Sequence, residues 1–136
     1  MKPELLIEEA KKAMQKAYAP YSGFKVGAAL LCADGTVYGG CNIENASFTP
    51  TVCAERSAIF KAIYDGKREF AAIAVCGGKD GTITGTFPPC GVCRQVMREF
   101  CDDDFKVYLA GANGSYETYT LTQILPVSFR ADVHME

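Results

Sequence analysis

Two uninterrupted apolar stretches limit the fold more than any other feature of the sequence. Residues 26–32 and 70–76 contain almost only apolar side chains, so neither stretch has a polar face to turn toward water. Strands of this kind belong to a sheet that is covered on both faces. Because helices usually provide that cover, the two stretches predict a layered α/β fold.

Helical and strand periodicities predict the other elements. A helix over residues 4–18, ended by Pro20, precedes a hairpin of strands 26–32 and 36–41 that turns at Asp34-Gly35. The remaining elements are helices at 53–64 and 90–100, strands at 70–76, 106–110 and 116–120, a loop at 77–89 and a short helical turn at 121–125. This order predicts a mixed sheet of about five strands between helices, which is a three-layer α-β-α sandwich.

Size and charge restrict the class of function. A chain of 136 residues without internal repeat or linker is expected to form a single domain, 1–136. The net charge is −2 and the basic residues are scattered among acidic ones, whereas a long nucleic acid requires a strongly basic surface. We therefore expect a small neutral ligand and no nucleic-acid partner.

The first residues lack the apolar segment of a signal peptide, and no apolar run could span a bilayer, so we expect a cytoplasmic protein without a membrane partner.

The chain contains seven cysteines, a high and odd number. In a reducing cytoplasm these residues are not expected to form a disulfide framework, so metal binding or catalysis is favoured. Four of them lie in or beside apolar runs and are predicted to be buried as small apolar side chains: Cys32, Cys41, Cys76 and Cys101. The other three belong to more informative motifs.

Those motifs are Cys53-Ala54-Glu55 and Pro89-Cys90-Gly91-Val92-Cys93. Two cysteines separated by two residues at a helix start direct both thiols to one side, and Cys53 at the start of another helix could supply a third ligand to one tetrahedral metal ion. Three protein ligands leave one position for water, which is the pattern of a catalytic zinc site. Glu55 lies in the same first helical turn and could contact that water without being a ligand.

The helix starts and Arg56 are suited to a thiolate site. Unpaired amides and the positive end of the helix dipole stabilise thiolates and lower the pKa of cysteine. A zinc ion with three thiolates carries a formal charge of −1, and the Arg56 guanidinium could withdraw part of it by donating hydrogen bonds to the sulfur atoms. A surface arginine paired only with solvent is the alternative for this residue.

Two other interpretations of the cysteines remain open at this point. Cys90-Gly91-Val92-Cys93 alone resembles a thiol-disulfide redox motif, although that interpretation leaves Cys53 and Glu55 without a role. A structural zinc site would need a fourth ligand, and the only histidine, His134, lies near the end of the chain.

At these residues the sequence resembles the cytidine deaminase family, specifically its small homotetrameric branch with three cysteine ligands. The resemblance covers nearly the whole chain. It rests on residues 18–22, 24–30 and 40–46, on both cysteine motifs, and on Arg94-Gln95. The resemblance implies a cytidine deaminase-like fold and one Zn²⁺ per subunit, held by Cys53, Cys90 and Cys93. It also implies that the zinc-dependent enzyme deaminates cytidine and deoxycytidine in pyrimidine salvage, with Glu55 as the proton shuttle.

The same resemblance implies the substrate contacts. Asn42 and Glu44 would hold the ribose 3′-hydroxyl, Phe24 would pack against the pyrimidine, and the backbone amide near Ala54 would contact the base carbonyl. Phe129 would reach the base of a neighbouring subunit, which implies a homotetramer with shared active sites.

Two departures from the family pattern concern the rim of the pocket. Phe48 stands where many members carry tyrosine, and Pro88 stands where relatives often carry serine, in a loop (77–89) that is slightly longer than usual. The alternatives to a cytidine deaminase are a deaminase of another nucleoside-like compound such as blasticidin S, a nucleotide or a nucleic-acid base, and a structural-zinc binding module. Glu44 would repel a nearby phosphate, which favours an unphosphorylated nucleoside.

Overall fold

The sheet at the centre of the molecule orders its strands β2-β1-β3-β4-β5. The structure, a computed structural model, describes residues 1–135 without the side chains of Val133 and His134. In that part of the chain the sheet has five strands. β3 and β4 pair in parallel and the other neighbours pair antiparallel. The strands are β1 (Phe24–Cys32), β2 (Val37–Cys41), β3 (Phe70–Lys79), β4 (Lys106–Ala110) and β5 (Tyr116–Thr120).

Helices cover the two faces of this sheet. They are α1 (Pro3–Met14), α2 (Ala54–Tyr64), α3 (Gly91–Phe100), and the single turns α4 (Leu121–Ile124) and α5 (Ala131–His134). A short 3₁₀ turn at Ala112–Gly114 connects β4 and β5. Within residues 1–135, no helix has the length and apolar character needed to cross a membrane.

Two apolar cores lie on opposite faces of the sheet. On one face α1 contributes Leu6 and Met14, which pack with Ala74 of β3 and its neighbours. On the other face Ile59 of α2 and Met97 of α3 pack with the remaining side chains of the same strands. The central strands are therefore covered on both sides, which explains their uninterrupted apolar sequence and confirms the predicted α-β-α sandwich.

Gly40 permits α2 to approach the sheet closely. A Cβ atom at this position would contact the carbonyl oxygen of Ala54 and would lie 2.5 Å from the backbone nitrogen of Ala58, both in α2. Because Gly40 has no side chain, the first turn of α2 can lie at a short distance from the sheet.

The structure corrects three details of the sequence-based expectations. The first helix was expected to continue to residue 18, but it ends at Met14 because the backbone of Tyr18 hydrogen-bonds to Asn42 and Glu44 instead. The loop expected from residue 77 begins later, since β3 continues to Lys79 by pairing with the start of β1. Cys41 is only half-buried, whereas Cys32, Cys76 and Cys101 are buried as expected.

Candidate active site

Three cysteine thiols meet at the N-terminal ends of two helices. Cys53 is the N-cap residue of α2, Cys90 is the N-cap residue of α3, and Cys93 lies in the first turn of α3. The Sγ atoms of Cys53 and Cys90 are 3.8 Å apart, and those of Cys90 and Cys93 are 3.6 Å apart. Among the side chains that the structure describes, this is the group of three potential metal ligands that lies close enough together to share one ion.

The spacing of these sulfur atoms fits one zinc ion. A tetrahedral zinc with Zn–S bonds of about 2.3 Å holds its sulfur ligands about 3.8 Å apart, and the three Sγ atoms all lie within 4.8 Å of one another. Among the described side chains, no carboxylate or histidine joins the group, and the side chain of His134 lies outside the described residues. Three protein donors leave one position for water or substrate, which is typical of a catalytic zinc site.

The environment of Cys53 favours its thiolate. A hydrogen bond from Cys93 and another from Arg56, whose Nη2 lies 3.3 Å from Sγ, lower the pKa of Cys53 to about 5 although burial opposes the shift. The pKa of Cys93 is raised, because this buried thiol donates to the Cys53 sulfur and is removed from water. Arg56 therefore contacts the thiolate group, as its predicted role requires, rather than solvent alone.

Glu55 is a buried carboxyl group beside the thiols. Its side chain is only 3 % exposed, and burial is the main cause that raises its pKa to about 7. The negative charge on Cys53 acts in the same direction, while hydrogen bonding to backbone opposes it. A carboxyl group with a pKa near neutrality can both accept and release a proton, which is the property of a general acid-base catalyst.

Glu55 and the cysteines Cys53 and Cys90 line a cleft of about 310 Å³, and Cys93 is buried behind them. The structure brings several of the sequence-predicted residues to the walls of this cleft: Phe24, Asn42, Glu44, Cys53, Ala54, Glu55 and Cys90. Ala54 occupies the first turn of α2, where backbone N–H groups have no partner within the helix and can point to a ligand. The metal centre and the predicted substrate contacts thus share one cavity.

Asn42 is fixed by the backbone of β1. Its Oδ1 accepts a hydrogen bond from the Val26 nitrogen (2.9 Å), and its Nδ2 donates to the Phe24 oxygen (2.8 Å). An amide nitrogen carries two hydrogens, so one N–H of Asn42 remains to donate to a ligand in the cleft. The side chain is 8 % exposed, and its orientation is set by the strand.

Glu44 accepts three hydrogen bonds from residues 21–22. Its Oε1 accepts from the backbone nitrogens of Tyr21 (2.9 Å) and Ser22 (3.1 Å), and its Oε2 accepts from the Ser22 hydroxyl at 2.5 Å. The hydroxyl contact is the main cause that holds the pKa of Glu44 below its ordinary value. Glu44 is therefore ionised near neutral pH, and its carboxylate acts as an acceptor only.

Phe24 forms an aromatic wall with a residue that the sequence analysis missed. The rings of Phe24 and Phe87 are 6.1 Å apart between centroids, and Lys79 Nζ lies 5.3 Å from the Phe24 centroid. Phe87 and Pro88 line the cleft from the 77–89 segment. This loop and Pro88 were expected at the rim of the pocket, whereas Phe87 was not singled out. The position of Phe87 three residues before the ligand Cys90 is the sequence signal that could have indicated it.

Phe129 does not line the cleft of its own subunit. Its side chain is 56 % exposed, and its backbone oxygen accepts a hydrogen bond from Gln95 Nε2 at 3.1 Å. It lies instead beside a second cleft formed by the end of α3 and the C-terminal segment.

An open three-thiol centre beside a buried carboxyl group, in an α-β-α sandwich, defines the class of a zinc hydrolase with a proton-transferring acid. Comparison with known proteins defines the family. Residues 1–109 match the family described as the cytidine and deoxycytidylate deaminase zinc-binding region. The chain is 51 % identical over 129 residues to a cytidine deaminase of Sporosarcina psychrophila, covering 95 % of this chain and 92 % of that protein. It is 49 % identical over 132 residues to a cytidine deaminase of Halalkalibacterium halodurans, covering 97 % of each.

Solved structures give the same result. A crystal structure of cytidine deaminase from Burkholderia pseudomallei has a TM-score of 0.88 and 49 % identity, covering 95 % of this chain and 100 % of that one. The Mycobacterium tuberculosis cytidine deaminase has a TM-score of 0.81 and 34 % identity, covering 95 % and 98 %. The chain belongs to the zinc-dependent cytidine and deoxycytidylate deaminase family.

Proposed function

We propose that this chain catalyses the hydrolytic deamination of cytidine and deoxycytidine to uridine and deoxyuridine, with release of ammonia. The observation that carries the proposal is the buried Glu55 carboxyl group, which shares one cleft with the Cys53 and Cys90 thiols and the polar side chains of Asn42 and Glu44. Identity of about half the residues to cytidine deaminases over nearly the whole chain supports the same reaction.

In the proposed mechanism Glu55 moves the protons. Cys53, Cys90 and Cys93 would hold the zinc ion, which would supply the Lewis acidity that lowers the pKa of water at the site. The Glu55 carboxylate accepts a proton from this water and delivers it to ring N3, which makes C4 of the base more electrophilic. After hydroxide adds to C4, Glu55 takes the proton of the new C4 hydroxyl group and passes it to the amino group, so that the C4–N bond breaks, C4=O forms and ammonia leaves. The pKa of about 7 suits both directions of transfer.

The substrate is held from the base to the sugar along the cleft. Phe24 packs against the pyrimidine, and the backbone N–H near Ala54 donates to the base carbonyl. The remaining N–H of Asn42 and the ionised carboxylate of Glu44 together offer one donor and one acceptor. Only a group that both accepts and donates, such as the ribose 3′-hydroxyl, satisfies both. A phosphate at this position would face the Glu44 charge, so the substrate is an unphosphorylated nucleoside.

The proposed functional unit is a cytoplasmic homotetramer of single-domain subunits. In such an assembly the exposed ring of Phe129 reaches the active site of a neighbouring subunit, where it covers the base. The exposure of this side chain and its separation from the cleft of its own chain support that arrangement. Sedimentation equilibrium measures the assembly, and a monomer that is fully active would refute the shared site.

The decisive experiment combines a substrate panel with a metal analysis of the same sample. Loss of the ultraviolet absorbance of cytosine is followed with cytidine, deoxycytidine, cytidine 5′-monophosphate, a cytosine-containing oligonucleotide and blasticidin S. We expect turnover of both nucleosides, little turnover of the other compounds, and one zinc ion per chain. Turnover of blasticidin S or the nucleotide instead would assign another substrate, and zinc without any turnover would indicate a structural-zinc binding module.

A further inference from the structure

Ser22 connects two groups that the proposed function assigns to substrate binding. Its hydroxyl donates to Glu44 Oε2 at 2.5 Å and accepts from the Phe24 backbone nitrogen at 3.0 Å. Glu44 is the proposed sugar-binding carboxylate, and Phe24 is the proposed base-packing ring. One serine oxygen therefore links the residue at the sugar end of the cleft to the residue at the base end.

Counting hydrogen-bond sites shows which Glu44 oxygen is left for a ligand. An ionised carboxylate accepts at about four positions, two on each oxygen. Both positions on Oε1 are taken by backbone nitrogens, and one position on Oε2 is taken by the Ser22 hydroxyl. The one remaining acceptor position lies on Oε2, the oxygen that Ser22 holds.

The main chain of residues 22–23 is held by the last residue of β3 and by the residue that follows it. Lys79 Nζ donates to the Ser22 carbonyl oxygen at 2.9 Å, and the Asp80 nitrogen donates to the Gly23 oxygen at 2.7 Å. Gly23 has a φ of +74°, a left-handed conformation that favours glycine at this turn. Because these backbone contacts do not involve the hydroxyl, they can hold the turn when the hydroxyl alone is removed.

We propose that Ser22 is a positioning residue that aims Glu44 Oε2 at the sugar hydroxyl of the substrate. The inference rests on the proposed function. Ser22 lines the same cleft, and the role assigned to it acts through Glu44. Without the hydroxyl, Oε2 gains a second free acceptor position, and the carboxylate group is held on one oxygen only. Water can then occupy the position that Ser22 filled, so the ligand hydroxyl loses an oriented acceptor.

The test compares Ser22→Ala with wild type on two substrates, cytidine and 3′-deoxycytidine. A charge-assisted hydrogen bond that orients a group contributes about a tenfold factor or more. We expect Ser22→Ala to lower kcat/KM for cytidine about tenfold, mainly through KM, and to leave kcat/KM for 3′-deoxycytidine nearly unchanged. A general structural defect would lower both values by the same factor.

Two further variants serve as controls. Ser115→Ala removes a hydroxyl that donates to the Ala112 oxygen in the turn before β5, away from the cleft, and we expect both substrates to behave as with wild type. Ser22→Thr keeps a hydroxyl at the position, and we expect it to restore the preference for cytidine.

Each outcome decides between the proposals. Suppose that wild type turns over cytidine and that the ratio of the two kcat/KM values is the same in Ser22→Ala as in wild type. This result overturns the positioning role and leaves the deaminase proposal standing. A wild-type protein without preference for the 3′-hydroxyl overturns the role together with the sugar assignment of Asn42 and Glu44. A wild-type protein that does not turn over cytidine refutes the proposed function itself.

Discussion

Replacing Gly40 with alanine should displace the first turn of α2, which carries residues of the active site. Gly40 lies at the end of β2 under the first turn of α2, the turn that carries Ala54 and Glu55. A new Cβ would meet the Ala54 oxygen and would lie 2.5 Å from the Ala58 nitrogen. Real Cβ atoms stay more than 3.0 Å from such atoms, and both of these atoms belong to backbone, so α2 must move away from the sheet.

The size of the effect follows from that displacement. Overpacking of a close-packed interior costs about 1–3 kcal/mol, which corresponds to a decrease in Tm of about 3–10 °C for a domain of this size. A shift of the first turn of α2 by several tenths of an ångström moves Glu55 and Cys53 relative to Cys90. Because misplacement by about 1 Å can lower turnover about 100-fold, we expect kcat/KM for cytidine to fall about 10- to 100-fold.

Urea unfolding and cytidine turnover measure the two effects on the same sample. Gly39→Ala is the matched control, since a Cβ there meets only the Ala13 Cβ at 3.4 Å, and its free energy of unfolding should stay within about 0.5 kcal/mol of wild type. If Gly40→Ala were as stable and as active as Gly39→Ala, the argument that close approach of α2 sets the site geometry would be wrong.

Three other predictions concern the cysteines and Glu55. Glu55→Gln should keep one zinc per chain yet lose about 10²- to 10⁴-fold in kcat, so normal turnover by this variant would remove Glu55 from the mechanism. Cys90→Ala should lose zinc and unfold at a lower urea concentration, and full zinc occupancy by elemental analysis would show that Cys90 is not a ligand. Cys76 and Cys101 are buried, and burial raises their pKa to about 11 and about 12. Both should therefore resist a thiol reagent at about pH 8 until denaturant is added, and reaction of all seven cysteines in the native protein would contradict this.

The layered fold could be predicted from sequence because its signal is local. Continuous apolar character at 26–32 and 70–76 requires cover on both faces, and the structure provides that cover with two separate cores. The end of the first helix could not be predicted in the same way. Residues 15–17 are compatible with a helix, and what ends α1 is backbone pairing of Tyr18 with Asn42 and Glu44, which are distant in sequence.

The metal centre was predictable for a similar reason. Cysteine spacing and position at helix starts are local features, and the structure brings Cys53, Cys90 and Cys93 together as expected. Ser22 and Phe87 act through contacts with residues far along the chain, and their types alone indicate nothing specific. Periodicity does not reveal contacts of this kind, so Ser22 needed the tertiary structure, and for Phe87 the sequence offers only its position three residues before Cys90.

The central claim is that three thiolates hold one zinc ion and leave a coordination position open beside Glu55. X-ray absorption spectroscopy of the zinc-loaded protein measures this directly. We predict three sulfur neighbours at about 2.3 Å and one light-atom neighbour at about 2.0 Å, with the light atom replaced or displaced when a substrate analogue binds. A spectrum with four protein donors that does not change on adding the analogue would contradict the claim.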